Sequence, residues 1–334
     1  MKENKIFLGE ALQVLKDLPK ESIDMCITSP PYWSLRDYHV DGVIWNEDKS
    51  CNHEFIKSFC KKCNAWRGQL GLEPNFDLYI KHLCDIFDEV KRVLKNEGTC
   101  WINLGDTYAG SGVHSLKNAN KGLEGRKIKE KAFPKKGQKP QWSKFPYPSK
   151  CLLMIPLRFA IEMINRGWIL RNVIIWHKSN AMPSPAKDRF TVDFEYVFFF
   201  SKSKKYYFHQ QREPHKDTSL KRLKYQWKGH REPMSSYQSI DIKKMCHPDG
   251  RNKRCVWTIP TSAFRGKHFA VYPPSLIETP IKAGCPEQGI VLDPFMGSGT
   301  TALVALKQNK KFLGIELNPN YIEIAEKRIK SIKI

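Results

Sequence analysis

The stretch from 289 to 330 constrains this chain more than any other. Gly289–Leu292 has the apolar, β-branched content of a buried strand. Asp293-Pro294-Phe295-Met296-Gly297-Ser298-Gly299-Thr300-Thr301 follows as a glycine-rich turn. Thr301–Gln308 then has helical periodicity, Lys311–Glu316 reads as a second strand ending on an acid, and Tyr321–Ile332 as a closing helix. Strand, glycine turn, helix and a strand closing on a carboxylate is the nucleotide-binding βαβ plan. Gly297 and Gly299 let the backbone approach a ligand and accept positive φ.

The turn is not a dinucleotide fingerprint, because the usual three spaced glycines are absent. Nor is it a phosphate-binding loop, because no Gly-Lys-Ser/Thr follows. Asp293 at the strand end suits a cationic ligand group better than a pyrophosphate. Glu316, about twenty residues beyond the turn, stands where a carboxylate accepts both ribose hydroxyls. S-adenosylmethionine has an amino group, a sulfonium and a ribose but no phosphate, and meets these demands.

The first residues repeat the α/β alternation. Lys5–Leu8 is a short strand, Ala11–Leu18 a helix and Ile23–Thr28 a strand that stops at Ser29-Pro30-Pro31-Tyr32. Prolines cannot continue a central strand, so these residues leave the sheet at the end where α/β folds bind ligands. A helix over 76–95, ended by Asn96-Glu97-Gly98, precedes a strand over Thr99–Leu104. Residues 152–166 read as helix, and Ile169–Trp176 and Glu195–Ser201 as strands. The core is therefore expected in 1–40, 71–205 and 257–334. Residues 41–70 are an irregular insertion, 110–150 a lysine-rich flexible loop, and 206–256 a separate basic region.

Ser29-Pro30-Pro31-Tyr32 suits one chemistry in particular. The exocyclic amino group of cytosine or adenine is a weak nucleophile, because its lone pair is delocalised into the ring. Two acceptors on its hydrogens, Ser29 Oγ and the Pro30 carbonyl, draw it toward tetrahedral geometry. Pro30 and Pro31 stiffen the turn, and Tyr32 offers an aromatic face to a base taken out of the duplex. Attack through a cysteine on the cytosine ring would need a Pro-Cys dipeptide, which this chain lacks.

DPFMGSGTT resembles the cofactor motif of DNA amino-methyltransferases, and SPPY resembles their catalytic tetrapeptide. The order, with the catalytic motif first, a basic variable region between and the cofactor motif last, is similar to their β group. The resemblance covers 5–35, 76–106, 150–205 and 265–330. It implies an α/β Rossmann-like S-adenosylmethionine-dependent methyltransferase fold with a mostly parallel seven-stranded sheet. It implies cofactor contacts from Asp293, Pro294, Phe295, Gly297, Ser298, Gly299, Thr300, Glu316 and Asn318. Phe269, in the segment before the cofactor motif, is implied to pack on the methionine end. Ser at the first tetrapeptide position favours N4 of cytosine. N6-adenine methylation by the same fold, RNA methylation, and an inactive zinc-containing DNA-binding protein remain as alternatives.

Charge bears on the partner. The chain carries 56 Lys and Arg against 34 Asp and Glu, a formal +22. Residues 202–256 hold 15 Lys and Arg against 5 acids, interleaved with Tyr206, Tyr207, Tyr225, Trp227 and Tyr237. Basic, aromatic-rich segments beside a catalytic core read nucleic acid, so 206–256 is the expected target-recognition region for double-stranded DNA. Lys178 and Arg189 are further expected phosphate contacts. Many such enzymes protect a host genome, which admits a cognate restriction endonuclease as partner. A monomer or homodimer is expected. No run of about eighteen apolar residues and no signal-peptide block occurs, so a cytoplasmic, nucleoid-associated protein without membrane contact is expected.

Ten cysteines are present, and four ligand-type residues cluster as Cys51-x-His53-x6-Cys60-x2-Cys63. Three thiolates and an imidazole suit tetrahedral zinc. The metal would supply the stability that an insertion with so few apolar residues lacks. Cys246, His247 and Cys255 form a looser group without a metal-binding pattern.

Overall fold

The computed structural model describes residues 3–38, 40, 42–46, 48–110, 147–224, 247–262 and 272–331. In chain order the elements are β1 (Lys5–Leu8), α1 (Ala11–Asp17), β2 (Ile23–Thr28), β3 (Val43–Trp45), β4 (Phe55–Ile56), β5 (Phe59–Cys60) and β6 (Trp66–Gly68). Then come α2 (Phe76–Val93), β7 (Leu94–Leu104), α3 (Ile155–Asn165), β8 (Ile169–His177), β9 (Phe194–Ser201), β10 (Arg212–Glu213) and α4 (Asp217–Lys224). The last are β11 (Arg251–Asn252), β12 (Val256–Thr258), α5 (Pro274–Gly284), β13 (Ile290–Asp293), α6 (Thr300–Lys307), β14 (Lys311–Glu316) and α7 (Pro319–Lys330).

The main sheet runs β1-β14-β13-β2-β7-β9-β8-β12. All neighbouring pairs are parallel except the two made by β9, which is antiparallel to both β7 and β8. Side chains alternate across it as the strand period requires. Cys100, Ile102, Phe198, Phe200 and Leu292 face a core closed by α1, α2 and α3. Met25, Trp101, Phe199 and Val291 face a second core closed by α5 and α6. Trp101 and Phe199, which are cross-strand partners, stack at 4.0 Å in that second core. The order of connection reverses between β13 and β2, since β14 and β1 lie on one side and β7 on the other. A crevice at the carboxyl ends of β13 and β2 is the place such a topology reserves for ligands.

Three expectations are corrected. The sheet has eight strands rather than seven. The additional strand is β12, whose Trp257 is buried and pairs with Trp176 of β8, while Trp176 Nε1 donates to the Ile259 carbonyl. The helix over 76–95 stops at Val93, because Leu94 already pairs with Ile23. The Asn96-Glu97-Gly98 segment lies in a register shift of β7 rather than in a turn before it. The insertion is also not irregular. It folds as a four-stranded antiparallel sheet, β3-β6-β5-β4, and buries Trp45, Trp66 and Leu70 in the same core cluster as α2. Strands of two or three residues carry no readable period, which is why the sequence hid them.

Of the basic region, β10 and β11 pair antiparallel, and Glu213 bridges Arg251 at 2.9 Å and Arg254 at 2.6 Å. Tyr225, Trp227 and Tyr237, most of 110–150, and Phe269 lie outside the described residues. Among the described residues no helix is long and apolar enough to cross a membrane.

Candidate active site

Strands β2 and β13 are parallel neighbours in register (Leu292 beside Cys26), so the chain leaves both at the same sheet edge. The Thr28 hydroxyl donates to Asp293 Oδ1 at 2.6 Å, joining the last residues of the two strands. Ser29 and Pro294 therefore emerge side by side, although far apart in sequence. Both line one cavity with about 1020 Å³ of empty volume, counting its open mouth.

The glycine turn is held from every side. Gly297 and Gly299 have φ of 52° and 81°, and a Cβ on Gly299 would meet Ala325 at 2.8 Å. Substitution at Gly299 would thus add steric conflict to backbone strain. Arg328 of α7 donates to the Ser298 carbonyl at 2.5 Å and to its hydroxyl at 2.7 Å. The Asp293 carboxylate is buried and accepts from Thr28, from Thr301 at 2.5 Å, from Tyr272 at 3.1 Å and from the Phe295 N–H at 3.0 Å. Burial raises its pKa, and these donors oppose the rise. Asp293 thus faces inward and fastens the turn instead of lining the cavity.

Glu316 does line the cavity. Its Oε2 accepts from the Gly297 N–H and its Oε1 from the Asn318 N–H, both at 2.8 Å. Each oxygen keeps a second lone pair for a ligand hydroxyl. Burial pushes this carboxyl above its ordinary 4.5, with the backbone donors pulling back. Glu10 is the second charged residue of the lining, and no described Lys or Arg lines it. An acid-only pocket in a chain of charge +22 favours a cationic ligand and disfavours phosphates.

On the opposite side, the tetrapeptide is braced. Tyr79 of α2 donates to the Pro31 carbonyl at 2.8 Å, whereas no described residue donates to the Pro30 carbonyl. Tyr32 OH donates to Glu195 Oε2 at 2.8 Å and stands 3.1 Å from Asn103 Oδ1 and 3.3 Å from Ser29 Oγ. Burial, then the neighbouring Glu195 charge, pushes the phenol far above its usual range, so it remains a donor. Asn103 Nδ2 donates to Glu195 Oε2 at 3.0 Å, and Lys178 Nζ to Oε1 at 2.5 Å. Gly105 lets the Tyr32 ring pass, since a Cβ there would meet Cε2 at 2.7 Å.

The sequence-derived set is largely brought together. Ser29, Pro31, Pro294, Phe295, Gly297, Ser298, Thr300, Glu316 and Asn318 line the cavity, while Pro30, Tyr32, Asp293 and Gly299 stand behind it. Lys178 is engaged by Glu195, and Arg189 lies 3.6 Å over the Tyr108 ring, so neither is presented as a bare phosphate contact. Glu10, Gln69, Tyr272, Glu195 and Asn103 were not legible as site residues. Only Tyr272, beside the expected Phe269 segment, had a positional signal.

Cys51, His53, Cys60 and Cys63 converge on one point, with their ligand atoms all within 4.8 Å of one another. Cys51 and Cys60 sulfurs lie 3.8 Å apart, and Cys63 Sγ lies 3.3 Å from His53 Nδ1. Tetrahedral zinc with Zn–S bonds of about 2.3 Å spaces its sulfurs by about 3.8 Å, so the donor set fits that ion.

A doubly wound sheet with one antiparallel strand, carrying a glycine turn and an acid-lined cavity at its switch point, defines a Rossmann-like S-adenosylmethionine-dependent methyltransferase fold. Solved structures share it. The PvuII DNA methyltransferase (cytosine-N4-specific) matches with a TM-score of 0.58 at 19% identity, covering 100% of this chain and 89% of that one. A DNA modification methylase from Thermus thermophilus, TTHA0409, solved with S-adenosyl-L-methionine, matches with a TM-score of 0.55 at 20% identity, covering 98% and 93%. The chain belongs to the N6/N4 DNA methylase family, whose model matches residues 23–327. It is similar to Type II methyltransferase M.SmaI of Serratia marcescens, 36% identical over 325 residues (97% of this chain, 90% of that one). It is likewise similar to M.Cfr9I of Citrobacter freundii, 36% identical over 324 residues (97% and 87%). The protein is thus a DNA methyltransferase of the amino-methylating kind.

Proposed function

We propose that this enzyme transfers the methyl group of S-adenosylmethionine to N4 of cytosine in duplex DNA. The observation that carries the reading is the junction of Thr28 with Asp293, which sets the tetrapeptide and the glycine turn on one cavity. The cofactor supplies an electrophilic methyl on a cationic sulfur, and the acid-only lining suits that charge. Glu316 accepts the ribose hydroxyls, and Gly297 and Ser298 give the backbone close approach.

The flipped base enters on the Ser29 side. Ser29 Oγ and the Pro30 carbonyl accept the two amino hydrogens, so the nitrogen lone pair turns toward the methyl. Pro30 keeps its carbonyl free for this, because the buried tyrosine donor of α2 is spent on the Pro31 carbonyl. Displacement is direct: the N–C bond forms as the S–C bond breaks, and the surplus amino proton leaves through the acceptors. The Tyr32–Glu195–Asn103–Lys178 network fixes Ser29 from behind, which is positioning of the kind that shortens approach to the reactive geometry. Ser at the first position supports cytosine over adenine.

DNA would lie across the same sheet edge. β8 is parallel to β2, so the loop after it opens there, and it carries Phe190 at 97% and Met182 at 78% exposure. Exposed apolar side chains beside basic residues suit insertion into a base stack. Residues 206–256 read the site, and a structural Zn²⁺ sits at Cys51, His53, Cys60 and Cys63. A paired restriction endonuclease accords with the Type II names of the relatives.

The test is product analysis. DNA methylated by the purified enzyme is digested to nucleosides and resolved by mass spectrometry. The reading expects N4-methylcytosine; N6-methyladenine instead would move the target, and no methylated base would remove the activity.

A further inference from the structure

The metal cluster and the cofactor cavity are joined by one short strand. We propose that Zn²⁺ at Cys51, His53, Cys60 and Cys63 governs cofactor affinity, by holding strand β6 so that Gln69 meets the bound cofactor. The inference rests on the reading of the cavity as the S-adenosylmethionine site and on the zinc assignment.

The connection can be followed atom by atom. Cys60 ends β5, and its N–H donates to the Ala65 carbonyl at 2.8 Å, while the Asn64 N–H returns to the Cys60 carbonyl at 3.0 Å. That turn feeds straight into β6, whose Trp66 pairs with Phe59 on one side and with Trp45 on the other. Trp45 Nε1 donates to the Gly68 carbonyl at 3.0 Å. Val43, Trp45, Gly68, Gln69 and Leu70 are then cavity wall, opposite the glycine turn. The next residue, Gly71, lies against the tetrapeptide: a Cβ there would meet the Tyr32 carbonyl at 3.1 Å, and its own carbonyl accepts from Ser34 N–H at 2.8 Å.

Gln69 points to a ligand independently of the metal. It is 8% exposed and lines the cavity, yet neither its Oε1 nor its Nε2 has a hydrogen-bond partner among the described residues. Leaving both ends of a buried amide unpaired is unfavourable unless a bound molecule pairs them. S-adenosylmethionine offers both donors and acceptors to such an amide.

Strands of two or three residues do not hold themselves. The wall has two anchors. One is the stacking of Trp45 on the His82 ring at 4.6 Å, with Glu73 Oε1 fixing that ring through Nδ1 at 3.1 Å. The other is the clasp, through which metal-binding energy becomes local folding energy. Loss of the metal removes the second anchor while the first keeps the module on α2. The outcome is a loosened wall on an intact core.

The experiment uses the full-length protein. Zinc is measured by elemental analysis, and S-adenosylmethionine binding by calorimetry on zinc-loaded protein, after chelation, and after Zn²⁺ is restored. Hydrogen exchange of Trp66–Leu70 and of β13 and β14 is followed in each state. We expect one zinc per chain, about tenfold weaker cofactor binding on removal, and recovery on restoration. Exchange should rise in Trp66–Leu70 and stay slow in β13 and β14. His53→Cys should keep zinc and affinity. Gln69→Ala should keep zinc and bind the cofactor about tenfold more weakly. Absence of zinc, or unchanged affinity after its removal, overturns the proposal; native affinity in Gln69→Ala overturns the role of that side chain. Zinc-loaded protein with a protected Trp66–Leu70 segment that binds no cofactor would overturn the cofactor reading instead, and the coupling with it.

Discussion

Tyr32→Phe separates two roles for one residue. A tyrosine that only offers its ring to the target base would lose nothing, because phenylalanine keeps the face. In this structure the hydroxyl is the group in use: it donates to Glu195 at 2.8 Å and stands 3.3 Å from Ser29 Oγ. A hydrogen bond to a charged acceptor contributes about 1.5–3 kcal/mol. Glu195 would still be bonded by Asn103 and Lys178, so the fold should tolerate the change. If the bond is expressed in positioning Ser29 at the transition state, turnover falls by about 10–150-fold, at about 1.4 kcal/mol per decade. Single-turnover methylation with labelled cofactor measures the rate, and calorimetry checks that cofactor affinity is unchanged. Turnover within about twofold of the parent would refute the positioning network and return Tyr32 to a stacking role.

Other outcomes follow from the same geometry. Ser29→Ala should keep cofactor affinity and lower the methylation rate by roughly 100-fold, as removal of one acceptor at a reacting group does; an unchanged rate would remove Ser29 from its role. Cofactor binding should weaken as pH falls. Glu316 must be ionised to accept the ribose hydroxyls, and burial raises its carboxyl above 4.5, so affinity is full above that raised value and is lost as pH drops through it. Calorimetric affinity that stays flat down to pH 4.5, the ordinary value of this carboxyl, would contradict the assignment. Phe190→Ala should weaken duplex binding by about tenfold, in the range of one lost stacking contact, and leave cofactor affinity alone; unaltered DNA affinity would place the loop off the interface.

What was legible in the sequence was what is local. The glycine turn, its flanking strands and Glu316 sit within one βαβ unit, so spacing alone aligned them. Ser29-Pro30-Pro31-Tyr32 was legible because proline ends a strand. The zinc ligands were legible because Cys-x2-Cys is a turn motif. Glu195, Asn103 and Lys178 were not, because they meet only through the register of β7, β8 and β9, in which Asn103 pairs with Val197 and His177 with Phe194. Asp293 was read as a ligand contact but is fully engaged with Thr28, Thr301 and Tyr272, residues from three segments. Gln69 gave no signal at all, since an amide side chain in a polar stretch normally faces water. Its meaning comes from burial, which depends on the whole insertion docking against α2.

The most direct measurement is a crystal structure of the enzyme with S-adenosylmethionine's non-transferring analogue sinefungin and a duplex carrying its target site. The account predicts the ribose hydroxyls on Glu316 and an extruded cytosine whose N4 lies between Ser29 Oγ and the Pro30 carbonyl, facing the cofactor's transferable position. A cofactor lodged away from the Gly297–Gly299 turn, or a target base remote from Ser29, would contradict it.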